Sequence, residues 1–323
     1  MGSRDKPWND NASGLSVAGP SPIRTGLAPY ALLTLTALCW AGNHVAGRAS
    51  AGHVPPLAIS TVRWVIPALL LLPFAWRHLR RDWPLIRAHR MALVLLASIG
   101  GGVFSALQYV GVQYTTAVNA SVLNSLSPVL IALSGALLFR DRLRPVQALG
   151  VTISLAGVLA IIARGDPAVL ADFGFNWGDL VIVLNMAVFG VYSACLRLRP
   201  AIHWLSYMFI FALVSSLVTL PFAVNEYLAG AELKPDLPTA AMLAYAAIFP
   251  SLVANVAWNR GVELIGAIRA GAMLHLIALF SAALASFFLG EKILPFHYIG
   301  FALILAGVWL AAKAPRSAIT SRL

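Results

Sequence analysis

Charge is scarce in this chain. Only 11% of its 323 residues are Asp, Glu, Lys or Arg, against roughly 25% in soluble domains, which excludes a water-soluble globular fold. Cysteine is scarcer still, with Cys39 and Cys195 alone. Both sit in apolar stretches, so each reads as a small core residue rather than part of a disulfide or a metal site. The acidic residues number 12, and none falls in the middle third of an expected helix. Exchange of a proton for a lipophilic cation normally needs a carboxylate there, so tight selectivity for cations is not expected. No H-E-x-x-H motif, cysteine cluster or intramembrane carboxylate pair is present, which argues against a membrane enzyme. No cofactor and no metal are expected. Residues 1–26 are polar and rich in Ser, Gly and Pro, without the apolar run of a cleaved signal peptide.

What the chain has in quantity is apolar sequence: 59% hydrophobic residues and a mean hydropathy of +0.81. A membrane span takes about 20 apolar residues. The pattern predicts spans near 28–47, 55–76, 91–112, 115–138, 145–163, 178–196, 203–223, 239–258, 266–289 and 294–312. The net charge of +11 raises the question of nucleic acid, but its distribution answers as a membrane protein. With the N-terminus in the cytoplasm, the inner segments hold 18 of the 23 Lys and Arg residues and the outer loops hold 4: Arg48, Arg164, Lys234 and Lys292. Arg63 lies inside a span. This is the positive-inside pattern, with both termini cytoplasmic and no nucleic-acid partner.

The second half repeats the first about 150 residues later. Arg140-Asp141-Arg142-Leu143, Gly150 and Gly157 recur as Gly290-Glu291-Lys292-Ile293, Gly300 and Gly307. Gly111, Ala117 and Ala120 match Gly261, Ala267 and Ala270, and Trp40-Ala41-Gly42-Asn43 falls on Phe189-Gly190-Val191-Tyr192. Five spans per repeat is an odd number, so the second repeat enters the membrane from the opposite side. The expected fold is an all-α integral membrane protein with ten transmembrane helices in two inverted five-helix repeats. The tail 1–27, the repeat 28–163, the outer linker 164–177, the repeat 178–312 and the tail 313–323 follow from the same count.

Inverted-repeat transporters bind solute near the midplane, and helices broken at matching positions point to the site. Gly100-Gly101-Gly102 interrupts the third span and Pro250-Ser251 interrupts the eighth at the same offset. Gly101, Pro128 and Pro250 are the candidate hinges. Polar residues inside spans face the bundle interior or a wet cavity. Trp40, Asn43, His44 and Gly47 share one face of the first helix, and Asn185, Phe189 and Tyr192 share the equivalent face of the sixth. Asn124, Ser127 and Pro128 form a stripe on the fourth, with His275 near the matching place on the ninth. Gln108 and Tyr109 end the third helix, opposite Asn255 and Trp258 on the eighth. The candidate solute-binding set is therefore Trp40, Asn43, His44, Gln108, Tyr109, Asn124, Asn185, Tyr192, Asn255, Trp258 and His275. The plain alternative for each is helix-to-helix glue. Arg63 has no mate in the second repeat and reads as a packing or snorkelling residue.

These features resemble the EamA-type pattern of the drug/metabolite transporter superfamily. The resemblance rests on the Trp40-Ala41-Gly42-Asn43 opening, Arg63 in the second helix, the acidic turns at Asp141-Arg142-Leu143 and Glu291-Lys292-Ile293, and the Gly-x6-Gly helices that follow. It covers about residues 28–312. The chain departs from the pattern at Arg140-Asp141, where the family commonly shows Glu. Within the superfamily it is most similar to YddG-type amino-acid exporters. The resemblance implies alternating access and export of small solutes. The expected partners are a small-molecule substrate and membrane lipid, and the expected location is a bacterial inner membrane. Neutral amino acids are the favoured solutes, since a zwitterion brings no net charge to neutral dipoles. Other metabolites, lipophilic cations, and a channel or lipid-handling role are the alternatives.

Overall fold

The computed structural model describes residues 27–140, 145–166, 168, 176–265 and 273–312. The Asp141-Arg142-Leu143 turn, most of the 164–177 linker, residues 266–272 at the head of the expected ninth span, and both tails lie outside the described residues. Among the described residues every regular element is helical.

Helix α1 spans Leu27–Ala49 and α2 Pro56–Ala88. Pro56 sits in the first turn of α2, where its missing N–H removes no helical bond. The 33 residues of α2 would reach about 50 Å, far beyond the ~30 Å of bilayer hydrocarbon. Its last turns therefore project past the apolar zone and carry Arg77, Arg80, Arg81 and Arg87. Helix α3 (Arg90–Ala97) passes through a π turn, Ser98–Val103, into α4 (Phe104–Tyr114). Helices α5 (Ala117–Asn124), α6 (Ser127–Phe139) and α7 (Pro145–Ile162) complete the first half. The second half holds α8 (Trp177–Cys195), α9 (Trp204–Leu228) and α10 (Leu237–Ile248). A second π turn, Phe249–Val253, leads into α11 (Ala254–Ile265), followed by α12 (Leu276–Leu289) and α13 (Pro295–Ala312).

The described helical runs Pro56–Ala88, Arg90–Tyr114, Trp177–Leu198, Trp204–Leu228 and Leu237–Trp258 are long and apolar enough to cross a membrane, and the bent pair α5–α6 adds a sixth if it counts as one span. Large apolar side chains such as Leu69, Phe74, Leu137 and Phe287 stand on the outer surface, whereas Ser60, Ser105, Asn185 and Ser206 are fully buried. A bilayer solvates the first set, and the protein must satisfy the second. The chain is an integral membrane protein.

Helix pairing follows the sequence repeat. Helix α2 packs along α9, and α7 along α13. The couples α6 with α8 and α4 with α8 have counterparts in α12 with α1 and α11 with α1. The α7–α13 contact explains the Gly-x6-Gly spacing. A Cβ added to Gly157 would lie 2.7 Å from the carbonyl oxygen of Gly300 and 2.9 Å from the backbone nitrogen of Ile304, and Gly307 abuts the Gly150 carbonyl in the same way. The missing side chains let two backbones touch, and Ser154 Oγ donates to the Ile304 carbonyl across the gap at 3.1 Å.

Carboxylates lock the α2–α9 couple at both ends. Glu226, late in α9, accepts the N–H groups of Leu57 (3.0 Å) and Ala58 (3.1 Å) at the head of α2. Asp82, late in α2, accepts the N–H of His203 (2.8 Å) and the hydroxyl of Ser206 (2.7 Å) at the head of α9. Each acid meets the unpaired N–H groups and positive dipole end of the opposing helix. The His203 ring stacks on His78 with centroids 3.6 Å apart. Burial, then the neighbouring His78, holds the His203 pKa below the usual histidine range. Its neutral ring accepts the Leu205 N–H and caps α9.

The α7–α13 seam is testable. Gly157→Ala should lower stability by about 2 kcal/mol, because backbone atoms cannot step aside, while Leu159→Ala on the exposed face of α7 should leave it nearly unchanged. Thermal unfolding of the two purified variants in detergent would check this, and equal midpoints would contradict the close backbone approach.

Candidate functional site

The two π turns are built alike. A π turn releases backbone carbonyls from the helical ladder, and in an apolar setting side chains must take them up. In the first, the Trp64 indole N–H donates to the Gly101 carbonyl at 3.2 Å and to Ser105 Oγ at 2.8 Å, and Ser215 Oγ donates to the Ala97 carbonyl. In the second, the Trp40 indole donates to the Pro250 carbonyl at 3.0 Å, and Asn255 Nδ2 donates to the Pro250 and Ser251 carbonyls. Gly100 has a second use. The Tyr192 ring of α8 occupies the space where its Cβ would stand, and Phe211 and Ser215 press on Gly101. Tyr192 also lies beside Phe189, Phe211 and Tyr207 in an aromatic cluster.

Between these turns lie two neighbouring chains of polar side chains. Gln108 Nε2 stands 3.0 Å from His44 Nδ1, and Asn124 Nδ2 stands 2.7 Å from His44 Nε2. Asn185 Nδ2 donates to Gln108 Oε1 at 3.0 Å. Next to this chain, Tyr109 Oη donates to Asn43 Oδ1 at 2.6 Å and receives Arg63 Nη1 at 3.5 Å, while Arg63 Nε donates to Ser251 Oγ at 2.9 Å. Asn185 and Tyr109 have no exposed surface, Gln108 has 1%, and Arg63 and His44 have 4% each. The sequence placed Arg63 apart from the site as a packing or snorkelling residue. The structure corrects the snorkelling half of that reading: its guanidinium points inward and joins α2 to α4 and to the second π turn.

The candidate residues thus fall into groups. Asn43, His44, Gln108, Tyr109, Asn124 and Asn185 converge on the network. Trp40 and Trp258 lie with ring centroids 5.7 Å apart near the second π turn. Their neighbour Asn255 uses its amide on the carbonyls of that turn. Tyr192 belongs to the aromatic cluster at the first π turn. His275 stands in a turn at the N-cap position of α12 without a side-chain capping bond, and its Nδ1 is buried without a partner. Pro128 is the second residue of α6, and its side chain lies outside the described residues. The expected fourth span is broken at Ser125-Leu126 between α5 and α6, directly ahead of the candidate hinge Pro128. The turn at Leu274-His275 stands at nearly the equivalent place in the second half.

One cluster escaped sequence reasoning. At the head of α8, fully buried Asp179 accepts the Thr115 hydroxyl and the Asn119 amide, the latter at 3.1 and 3.2 Å. Asn119 Oδ1 in turn faces His297 Nε2 at 2.7 Å. The His297 Nδ1 accepts the Leu294 N–H, so Nε2 carries the proton toward Asn119. Glu291 accepts the N–H groups of Ala117 and Val118, both at 3.0 Å, and caps α5. These residues sit at or near the edges of expected spans, away from the midplane where candidate residues were sought. The Thr115/Asn119 spacing of one helical turn was the available signal.

An apolar groove of about 370 Å³ runs between α1 and the α10–α11 segment, lined by Leu32, Leu35, Leu252, Val253, Val256 and Ala257 with Arg260. Its lining suits a lipid chain and contains none of the network residues.

The sequence profile of the EamA-like transporter family matches residues 27–163 and again 176–313. The chain belongs to the EamA-like transporter family. It is 29% identical over 292 residues to an uncharacterized transporter of Archaeoglobus fulgidus, covering 87% of this chain and 96% of the relative. It is 26% identical to the uncharacterized transporter YyaM of Bacillus subtilis over 72% of this chain and 76% of that one. A probable terminal-alkyne amino-acid exporter of Streptantibioticus cattleyicolor is 25% identical over 86% of this chain and 91% of its own length. One solved crystal structure superposes with a TM-score of 0.55 at 20% identity, covering 88% of this chain and 96% of that chain, a likeness of fold. This EamA protein is a transporter by family, and these relatives are named as transporters or an exporter rather than as enzymes.

The network is testable on its own. Gln108→Leu removes its central link and strands His44 Nδ1 and the Asn185 amide. Two stranded buried groups should cost about 2 kcal/mol of stability, read as a lower unfolding midpoint in detergent. An unchanged midpoint would show that the chain of bonds is not closed as described.

Proposed function

We propose that this EamA protein exports small solutes, above all amino acids, aromatic and other neutral ones among them, across a bacterial inner membrane, by alternating access of two inverted five-helix repeats. The observation that carries the reading is a pair of neighbouring polar chains, Asn185–Gln108–His44–Asn124 and Asn43–Tyr109–Arg63–Ser251, drawn from both halves and enclosed in an otherwise apolar bundle. Such a concentration of amides is expensive in hydrocarbon unless a polar solute uses it. Ten spans and an inverted relation between the halves are supported by the pairing of equivalent helices, α2 with α9 and α7 with α13, and by the positive charge gathered in one set of loops. The amino-acid class is supported by the named exporter among the relatives and by the scarcity of carboxylates for binding cations.

In this reading Trp40, Asn43, His44, Gln108, Tyr109, Asn124, Asn185, Tyr192, Asn255, Trp258 and His275 line or support the solute path. Gly101, Pro128 and Pro250 mark the segments that bend. The Asp179–Asn119–His297 cluster closes the outer end, and the aromatic cluster around Tyr192 closes the inner one. Trp and Tyr offer broad apolar area with one polar handle, which suits solutes that differ in side chain.

Two measurements test the proposal. Reporter fusions at residues 170 and 230 should read outside and those at 85 and 200 inside; an inside signal at 170 defeats the ten-span topology. Proteoliposomes should take up several neutral amino acids down their gradients, with little response to an imposed pH gradient. Asn124→Ala and His275→Ala should each lower that flux roughly tenfold, the scale of one lost solute hydrogen bond, without lowering the yield of folded protein. Wild-type flux in both variants would put the path elsewhere. Strict dependence on the pH gradient, abolished by His44→Ala, would make His44 a proton carrier instead.

A further inference from the structure

Arg63 is a cation enclosed in the protein without a counter-ion. A guanidinium keeps its charge in any protein setting, and burying an unpaired ion in an apolar interior costs several kcal/mol or more. Among the described residues no carboxylate pairs with it. Its partners are two hydroxyls, Ser251 and Tyr109, and the faces of two rings, Trp64 at 5.1 Å and Tyr109 at 5.5 Å. The two hydroxyl bonds use Nε and Nη1 and do not engage the Nη2 amino group. A purely structural tie between α2, α4 and Ser251 would need no permanent charge. The planar fork of a guanidinium is matched to one class of partner above others, a carboxylate held by two parallel hydrogen bonds.

The amide chain beside it is unfinished at both ends. Asn124 Oδ1 and Asn185 Oδ1 are buried and without a partner. The chemistry of His44 sharpens this. A neutral imidazole offers one donor and one acceptor, yet an amide nitrogen stands against each ring nitrogen. One amide must therefore turn its oxygen to the ring. If Asn124 turns, its NH2 becomes the free end and Asn185 Oδ1 remains a free acceptor. If Gln108 and Asn185 turn together, Asn185 carries the free NH2 and Asn124 Oδ1 remains the free acceptor. Either way the chain ends in one unused donor and one unused acceptor. A buried acceptor of this kind takes an ammonium or a hydroxyl.

We propose that Arg63 receives the carboxylate of the transported solute and that the free acceptor end of the Asn185–Gln108–His44–Asn124 chain receives its ammonium group. This rests on the amino-acid reading above and deepens it, since the site then requires both charged ends of an α-amino acid. The pair Trp40–Trp258, whose first member lies one turn from Asn43 on α1, takes the side chain. The bound zwitterion neutralises Arg63, whose hydrogen bonds within the protein go to two hydroxyls. Because Arg63 also holds Ser251, occupation of the guanidinium is linked directly to the second π turn.

The test uses the purified full chain and three probes: L-phenylalanine, 3-phenylpropionate, which lacks the ammonium, and 2-phenylethylamine, which lacks the carboxylate. Wild-type protein in detergent should bind 2-phenylethylamine at least roughly tenfold more weakly than phenylalanine, the scale of one lost charged hydrogen bond. Arg63→Gln should abolish that difference and binding of 3-phenylpropionate, while Arg63→Lys should keep most of both. A second measurement does not depend on the variants folding. Phenylglyoxal labelling of wild type, read at the Arg63 peptide by mass spectrometry, should be slowed by 3-phenylpropionate and not by 2-phenylethylamine. Equal binding of phenylalanine and 2-phenylethylamine by wild type, or discrimination that survives in Arg63→Gln, overturns the proposal. So does labelling of Arg63 that 3-phenylpropionate does not slow. The two readings fail separately. If 3-phenylpropionate binds through Arg63 but no amino acid binds or moves, the amino-acid reading falls and Arg63 remains a carboxylate receptor. If amino acids move and Arg63→Gln still prefers them to amines, only the role of Arg63 falls. Binding of none of the three probes overturns both.

Discussion

A polar group inside a bilayer has no water to fall back on, so each must find its partner within the protein. The organisation of this transporter depends on that constraint. The heads of α2, α5 and α9 present unpaired N–H groups, and Glu226, Glu291 and Asp82 arrive from other parts of the chain to accept them. The π turns release carbonyls, and Trp64 and Trp40 supply the indole donors. These bonds are long-range in sequence, so satisfying the backbone and assembling the bundle are one process.

The two halves share a scaffold and differ in what they place on it. Both have a π turn capped by an indole, a following helix pair with a break, and a last helix whose glycines meet the backbone of the other half. The side chains at equivalent positions diverge. Asn43 and His44 correspond to Tyr192 and Ser193, and Gln108 corresponds to Trp258. One side of the pseudo-symmetric frame therefore carries amides and an imidazole, and the other carries aromatic rings. The polar side is held by directed hydrogen bonds, and the aromatic side packs by apolar contact, which is weaker in direction.

Much of the frame was legible because it is written in composition and period. Apolar runs of about 20 residues follow from bilayer thickness, and the repeat offset survives in glycines that cannot bear a side chain where backbones touch. The Gly100-Gly101-Gly102 run and Pro250-Ser251 stand where the helices change to π geometry, since glycine and proline disturb a helix locally. The break at Ser125-Leu126 is marked by Pro128 just beyond it, which has no N–H to bond the Asn124 carbonyl and so starts a new helix. Asp179 was legible as an acid at a span edge and no more, because Asn119 and His297 approach it only after folding.

Arg63 shows where the boundary lies. The sequence determined that this is an all-helical membrane transporter chain with two related halves, and that its few polar intramembrane residues concentrate on particular helix faces. Those properties come from transfer of residues between water and hydrocarbon and from the 3.6-residue period, which act on each segment separately. Only the tertiary structure decided that the guanidinium turns inward onto Ser251 and Tyr109 and that His44 joins amides from two other helices, one of them bonded in turn to Asn185. It alone leaves that chain with an unused hydrogen-bonding group at each end. Those outcomes depend on which side chains from distant segments meet in the same few ångströms, and no segment carries that information by itself.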